Sequence, residues 1–115
     1  MLTPPDPNFL NSTFVEVDAL RQQAGEPVVE IHTTDALARN IADREIVMVF
    51  NDRGRFQARA LVGETVKPGV VVAPGLWWRR FTSDGVNCNT TTSTALSDLG
   101  GGATFFDNLV DVRKV

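Results

Sequence analysis

Two side chains that commonly act as nucleophile and base occur once each in this chain of 115 residues, Cys88 and His32. A cysteine and a histidine can form a nucleophilic pair, but neither lies in a pattern that would activate the thiol. One cysteine allows neither an internal disulfide nor a cysteine-built metal site. The carboxylates are scattered over different predicted elements, so no acid–base dyad is visible. The sequence therefore predicts binding rather than catalysis by its own side chains.

Side chains suited to binding are concentrated between residues 67 and 106, around a valine-rich run at residues 70–73. Amides and hydroxyls can pair with the edge of a heterocycle, and glycines let a backbone approach a ligand closely. Adjacent tryptophans in an extended segment point in opposite directions, so one ring is expected in the core and the other outward. The residues concerned are Trp77, Trp78, Asn87, Asn89, Thr90, Gly100, Gly101 and Gly102. They predict a surface for a flat, polar ligand, although a triple glycine is also typical of a tight turn.

Charge and hydropathy argue against two classes of partner. Lys and Arg number 11 against 14 Asp and Glu, a net charge of -3, so no basic excess exists to neutralise nucleic-acid phosphates. No apolar run approaches the roughly 20 residues needed to cross a bilayer. Residues 1–7 lack the basic and apolar regions of a signal peptide. We expect no nucleic acid and no membrane as partner, and a cytoplasmic location unless an upstream signal directs the protein to the periplasm.

Hydrophobic patterns predict a mainly β chain with about six strands and one or two short helices. Residues 55–62 alternate as in a half-buried strand, and Ile46–Phe50 is apolar throughout, as in a strand buried on both faces. Between them, residues 51–54 predict a hairpin turn with Gly54 at positive φ. The other extended stretches are residues 14–17 as a strand end or loop, Val28–His32, 70–73 and 109–113. A small closed barrel of such strands would leave no exposed edges.

End signals define the two predicted helices. Asp18 is the expected N-cap of the first, with Gly25 just past its last residue. Hydroxyl caps at Thr33 and Thr34 start the second, and Asn40 is expected in the left-handed position after it. His32 lies between a strand and this helix, so we expect a structural hydrogen bond from its ring rather than metal binding.

An ordered series of short motifs resembles one known family. The series is Asn-Phe-Leu-Asn-Ser-Thr-Phe at residues 8–14, Val-Glu-Ile-His at 29–32, Val-Phe-Asn-Asp-Arg-Gly at 49–54, Lys-Pro-Gly-Val-Val-Val-Ala-Pro-Gly at 67–75 and Ser-Asp-Leu-Gly-Gly-Gly-Ala-Thr-Phe at 97–105. It is similar to the C-terminal domain of the molybdopterin oxidoreductases, the dimethyl sulfoxide reductase family. The resemblance extends from about residue 8 to residue 112.

The resemblance implies a six-stranded double-psi β-barrel over residues 8–115, after a flexible lead-in at residues 1–7. It implies a bis-molybdopterin guanine dinucleotide cofactor in its molybdenum or tungsten form, with the metal held by upstream domains of the same enzyme. The family's molybdenum ligand and iron–sulfur cysteines lie in those domains. The chain alone is therefore expected to be inactive, and the upstream domains are its expected partners.

The resemblance also implies a set of cofactor contacts. Residues 11–14 match the family's first cofactor-contacting loop, Arg53 its arginine–glycine turn, and Asn89 the asparagine of its Asn-x-Leu-Thr segment. Thr91 stands where the family usually has leucine. The predicted contacts are Asn11, Ser12, Thr13, Phe14, Arg53, Trp77, Trp78, Asn87, Asn89 and Thr90. Taken singly, Arg53 is more typical of a solvated turn residue than of a phosphate contact, and either tryptophan is more typical of core packing.

Two other functions stay open at this point. The first is a free-standing small β-barrel that binds a protein or peptide without a cofactor, since fold does not fix function. Such a module is expected to show an exposed apolar patch rather than a run of Asn and Thr. The second is a small hydrolase that uses Cys88.

Overall fold

The computed structural model describes residues 1–105 and 108–115; Phe106, at the end of the predicted binding stretch, lies outside them. It is mainly β, as predicted. Its strands are β1 (Val28–His32), β2 (Ile46–Phe50), β3 (Arg55–Gly63), β4 (Val71–Val72) and β5 (Asp111–Lys114). They form one sheet in the order β4-β1-β3-β2-β5.

The predicted six-stranded closed barrel is not confirmed, because the described residues form five strands in this order. The candidate for a sixth strand, residues 14–17, forms turns instead. Phe14 has a φ of 74°, and the Val17 amide donates to the Phe14 carbonyl at 3.0 Å. A left-handed residue followed by a turn hydrogen bond ends any extended pairing.

The centre of the sheet is β3, which is antiparallel to β2 and parallel to β1. Its alternation is confirmed, since Phe56, Ala58 and Ala60 are buried and face the main core. In β2 the same alternation holds, with Val47 and Val49 buried and the residues between them half-buried. The expectation that β2 is buried on both faces was therefore wrong, because little of the chain covers its second face.

Both short helices are present, with capping that differs from the predictions. In α1 (Asp18–Ala24) the N-cap is Val17, and Asp18 is the first helical residue. In α2 (Thr33–Ala38) the cap is His32, whose Nδ1 accepts a hydrogen bond from the Thr34 amide at 3.1 Å. This bond confirms a structural role for the histidine ring. The helix ends were predicted correctly, with Gly25 at φ 83° and Asn40 at φ 53°.

A second, smaller core lies beneath the first loop. Phe9, Val15 and Trp77 are buried together, and the Phe9 and Trp77 rings meet edge to face with centroids 5.2 Å apart. Such an edge-to-face pair stabilises the fold by more than the burial of its apolar surface alone. This cluster fixes the loop of residues 10–14 against the segment that follows β4.

The segment before this loop pairs with β4. The Leu2 amide donates to the Val71 carbonyl, and the Ala73 amide donates to the Leu2 carbonyl, each at 2.9 Å. The terminal ammonium of Met1 donates to the Asn108 carbonyl at 2.6 Å. These bonds place residues 1–7 along the sheet edge; the flexibility expected of them stays a prediction.

Candidate functional site

The loop of residues 10–14 presents polar groups outward from a constrained backbone. Asn11 and Phe14 adopt left-handed conformations, with φ of 50° and 74°, and the Thr13 amide donates to the Leu10 carbonyl at 2.7 Å. Side chains of Asn11, Thr13 and Phe14 are exposed, while Ser12 is half-buried. A bulky residue at positive φ is strained, and such strain is common at ligand-binding loops.

Trp78 joins this loop to the segment after β4. Its indole Nε1 donates to the Ser12 carbonyl at 2.8 Å, and the Leu76 amide donates to the Asn11 carbonyl at 3.2 Å. Trp77 is buried, whereas Trp78 is 37% exposed. One ring thus packs in the core and the other faces outward, as the alternation of an extended segment predicts.

Asn87 links the tryptophans to the asparagine-rich loop. Its Nδ2 donates to the Trp77 carbonyl at 2.9 Å, and its Oδ1 accepts from the Asn89 amide at 3.2 Å. Asn87 thereby caps the 3₁₀ helix Cys88–Thr91. The Asn89 side chain is exposed and makes no hydrogen bond within residues 1–105 and 108–115. Asn87 therefore organises the loop, and Asn89 presents a free amide.

Thr90 packs against the turn between β2 and β3. A Cβ added to Gly54 would lie 2.4 Å from the Thr90 hydroxyl oxygen and 2.5 Å from its carbonyl oxygen. Gly54 is not among the glycines with positive φ. The predicted turn is present, but the reason given for its glycine was wrong: close approach of two backbones requires it.

Arg53 is engaged within the domain. Its Nε donates to the Thr91 carbonyl at 2.8 Å, and its Nη2 lies 3.4 Å from Asn108 Oδ1. Asn51 Nδ2 donates to the same Thr91 carbonyl at 2.8 Å. These contacts tie the hairpin turn to the asparagine-rich loop.

Two buried residues lie at the centre of this network; of these, Thr91 was noted only as a departure from the family pattern, and Asn108 was not predicted at all. Thr91 is fully buried and donates its hydroxyl to the Cys88 carbonyl at 2.9 Å. Asn108, 4% exposed, donates from Nδ2 to the Thr91 hydroxyl at 3.0 Å. Asn51 was interpreted as a turn residue alone. No spacing in the sequence marks Asn108, which lies just before the last strand.

Most of the predicted contacts are therefore connected in space. Hydrogen bonds join the 10–14 loop to Trp78, the adjacent Trp77 to Asn87, and the end of the 3₁₀ helix to Arg53. Phe14 belongs to the same loop, and within residues 1–105 and 108–115 its ring takes part in none of the aromatic or cation–π pairs. We call this connected set of loops the polar rim. Its members are residues 10–14, Trp77, Trp78, 87–91 and 51–54.

Electrostatics of the site argue against nucleophilic catalysis. Cys88 is 5% exposed, and burial raises the pKa of its thiol to about 11. A reactive cysteine needs a lowered pKa and access to substrate. Among the described residues, no group of three or more His, Cys, Asp and Glu side chains is placed to hold a metal ion. The hydrolase alternative therefore has no structural support.

The triple glycine forms a tight turn that two hydrogen bonds close. The Ser97 amide donates to the Gly102 carbonyl at 2.8 Å, and the Gly102 amide donates to Ser97 Oγ at 3.0 Å. Gly100 and Gly101 supply the positive φ values of 82° and 63°. The turn interpretation of this motif is confirmed.

An apolar hollow lies beneath the rim, lined in part by Phe56, Trp77 and Cys88. Its volume of about 20 Å³ suffices for about one water molecule. A pterin does not fit inside. A flat ligand is therefore not bound within this hollow.

Comparison with known proteins identifies the class to which this fold and rim belong. Residues 1–109 match the family described as Molydopterin dinucleotide binding domain. The chain belongs to this family, which confirms the predicted resemblance and implies a molybdopterin guanine dinucleotide cofactor.

Individual relatives agree with this assignment. The chain is 42% identical over 111 residues to "Probable oxidoreductase YoaE" of Bacillus subtilis, covering 96% of this chain and 16% of the relative. It is 34% identical over 121 residues to "Trimethylamine-N-oxide reductase" of Salmonella typhi, covering 94% of this chain and 14% of that protein. The chain thus spans less than a fifth of each. In each of these relatives the matching stretch is a small part of a longer protein named as an oxidoreductase or a reductase.

A solved structure shares the fold. Acetylene hydratase from Pelobacter acetylenicus superposes with a TM-score of 0.81 at 16% identity, over 99% of this chain and 18% of that one. At this identity the likeness concerns the fold alone.

In the described part of our chain, none of the helices has the length and apolar character needed to cross a membrane.

Proposed function

We propose that this domain forms one wall of the cofactor site in a larger molybdopterin oxidoreductase. The polar rim holds bis-molybdopterin guanine dinucleotide, and the molybdenum or tungsten ion is held by upstream domains. The observation that carries the proposal is the linked set of loops whose free groups face outward, above all the unpaired amide of Asn89 and the exposed side chains of Asn11 and Thr13.

The donor set of the rim fits such a cofactor. Amides both donate and accept, and hydroxyls do the same, which suits the edges of a pterin and a guanine. Backbone amides in turns suit phosphate oxygens. The described residues supply no metal-binding group, in keeping with a metal held elsewhere.

When bound, the cofactor supplies the redox chemistry, and the protein supplies binding and orientation. In this domain Asn87 fixes the loop from which Asn89 reaches out, through its bonds to the Trp77 carbonyl and the Asn89 amide. Trp78, anchored on the Ser12 carbonyl, keeps the first loop in place beside it. The rim is thus pre-organised, and the domain alone performs no reaction.

Exposed leucines support the proposal that other domains cover part of this chain. Leu96 and Leu99 are 66% and 92% exposed, on a loop that is closed by Ser97 and Gly102 rather than by packing. Neighbouring exposed apolar side chains can mark a contact surface, which would suit a covering domain of the same enzyme as well as the protein-binding alternative. We assign the two leucines to a contact with the upstream domains. We further propose that this chain is the C-terminal domain of the enzyme, that its barrel has the double-psi topology in the full-length protein, and that the enzyme is cytoplasmic.

The proposal is tested with two asparagines on the same loop. In the full-length polypeptide that contains this chain, Asn89→Ala removes an amide that has no hydrogen-bond partner among the residues that the structure describes. We expect guanine nucleotide and molybdenum per polypeptide to fall severalfold with an unchanged melting temperature. Asn87→Ala removes a helix cap, at a cost of about 1 kcal/mol, and should lower the melting temperature as well. Normal cofactor content in Asn89→Ala would contradict the proposed contact.

A further inference from the structure

Two adjacent arginines lie at the end of the polar rim, outside its hydrogen-bonded loops. Arg79 and Arg80 follow Trp78 directly, are exposed, and begin the 3₁₀ helix Arg79–Phe81. Neither forms an ion pair with any carboxylate of residues 1–105 and 108–115. In a chain of net charge -3, two neighbouring cations without acidic partners create a local positive surface.

Aromatic rings hold one of these cations in place. The guanidinium carbon of Arg80 lies 4.7 Å from the ring centroids of both Trp78 and Phe81. The two rings are stacked, with centroids 6.3 Å apart and an interplanar angle of 19°. Cation–π contacts of this kind orient a guanidinium without consuming its N–H donors. Arg80 therefore offers a pre-oriented set of donors to a ligand.

This cation–aromatic group adjoins the first loop of the rim. The same Trp78 ring that lies under Arg80 donates to the Ser12 carbonyl at 2.8 Å. On the other side of Phe81, Arg21 lies 4.1 Å from the ring centroid and is paired with Asp18. Arg21 is thus neutralised locally, whereas Arg79 and Arg80 are not.

Arg53, the arginine that the sequence placed at the cofactor, is already engaged. Its guanidinium donates to the Thr91 carbonyl, approaches Asn108 Oδ1 at 3.4 Å and lies 3.8 Å from an oxygen of Asp52. Two of its five N–H groups are thus turned toward internal acceptors, and Asp52 offsets part of its charge. The Arg53 side chain therefore holds the hairpin turn and the asparagine-rich loop together.

We infer that Arg79 and Arg80, rather than Arg53, bind the pyrophosphate of the dinucleotide. Arginine forms bidentate, charge-assisted hydrogen bonds with phosphate oxygens. Trp78 connects the pair to the loop of residues 10–14, since its ring contacts Arg80 and its indole Nε1 donates to the Ser12 carbonyl. The inference rests on the proposed function and deepens it by assigning one part of the cofactor to one part of the rim.

The test is the double variant Arg79→Gln/Arg80→Gln in the full-length, cofactor-loaded polypeptide. Guanine nucleotide per polypeptide is measured after dialysis at low and at high salt. We expect retention at low salt to fall about tenfold or more, as loss of charged hydrogen bonds implies, and its salt dependence to weaken. The melting temperature of the cofactor-free protein should not change. Arg79→Lys/Arg80→Lys keeps the charges and should give intermediate retention.

A matched control is Arg55→Gln/Arg113→Gln, which removes two exposed charges from the groove beside the hairpin turn and should retain nucleotide normally. Arg53→Gln should lower the melting temperature. Normal retention in Arg79→Gln/Arg80→Gln, or a loss accompanied by unfolding, would overturn the inference. If Asn89→Ala loses nucleotide while the Arg79/Arg80 variant keeps it, the assignment of the pyrophosphate to these arginines is wrong and the proposed function still stands. If both keep it, the proposed function fails as well.

Discussion

At the residue scale, Gly54 shows how one missing side chain lets two loops of the rim meet. The Gly54→Ala methyl group would lie 2.4 Å from the Thr90 hydroxyl oxygen and 2.5 Å from the carbonyl oxygen. Because the carbonyl is backbone, it cannot move aside without shifting the loop. We expect a loss of about 1–3 kcal/mol in the free energy of unfolding, measured by urea denaturation with tryptophan fluorescence.

Gly63→Ala is the control for that experiment. Gly63 ends β3, and an added Cβ there meets nothing within 4 Å. Gly63→Ala therefore measures how much the free energy of unfolding changes when a glycine of this strand is replaced without a steric clash. Equal stability of the two variants would show that the contact between the hairpin turn and Thr90 is looser than described.

Cys88 gives a prediction for the pH dependence of stability. Burial raises its pKa from 9.0 to about 11 in the folded chain. Above pH 9 the unfolded chain loses this proton while the folded chain keeps it, so the unfolded state binds fewer protons and stability falls. The contribution is fully present below pH 9 and is lost between pH 9 and 11. Urea midpoints measured at pH 8, 9 and 10 should fall across this window.

Cys88→Ala is the comparison that isolates the thiol. The variant is expected to be less stable at neutral pH, because it leaves a small cavity, but its midpoint should fall less steeply above pH 9. The folded wild-type chain should also react slowly with iodoacetamide. Rapid alkylation under native conditions would mean that the thiol is neither buried nor shifted.

Single residues were predictable from sequence where one rule dominated. The alternation of an extended chain correctly predicted that one of the two tryptophans lies inside and the other outside, and the structure shows that Trp77 is the buried one. For Gly54 the turn was predicted but its cause was not, because close approach to Thr90 depends on a residue far away in the sequence. The engagement of Arg53 with Asn108 escaped notice for the same reason.

At the scale of elements, the 3₁₀ helix Cys88–Thr91 joins the asparagine-rich loop to the hairpin turn. Thr91→Val removes a buried hydroxyl that accepts from Asn108 Nδ2 and donates to the Cys88 carbonyl. The Asn108 amide then lacks a partner in the core, which costs about 1–3 kcal/mol. Chemical denaturation of wild-type and variant chains measures this loss.

The exposed Thr94 provides the comparison, since Thr94→Val makes the same chemical change on the surface. Its stability should lie within about 0.5 kcal/mol of wild type. If Thr91→Val were equally mild, the buried network would not be what fixes the two loops together.

Strands and helices with strong local signals were predicted well. Period-two alternation located β3, and left-handed Gly25 and Asn40 marked the helix ends. The sixth strand and the closed barrel were not confirmed, since a strand count from short apolar runs cannot detect the positive φ of Phe14. The cap at His32 was missed because hydroxyl side chains are the commoner caps.

At the scale of the whole molecule, the domain is a small part of the enzymes it resembles, with 14% to 16% of their length in the relatives described. The polar rim lies open, and the hollow beneath it holds about one water. An open half-site and exposed leucines are consistent with a cofactor enclosed between domains. The physical reading of the sequence predicted a surface for a flat, polar ligand; the identity of that ligand came from the resemblance, because amide and hydroxyl groups recognise many heterocycles.

An experimental structure of the cofactor-loaded, full-length polypeptide tests the central claim most directly. We predict that the dinucleotide lies across the polar rim, with the Asn89 side chain and the 10–14 loop within hydrogen-bonding distance of it. A structure in which the cofactor is bound by other domains while Asn89 and residues 10–14 face bulk water would contradict the account.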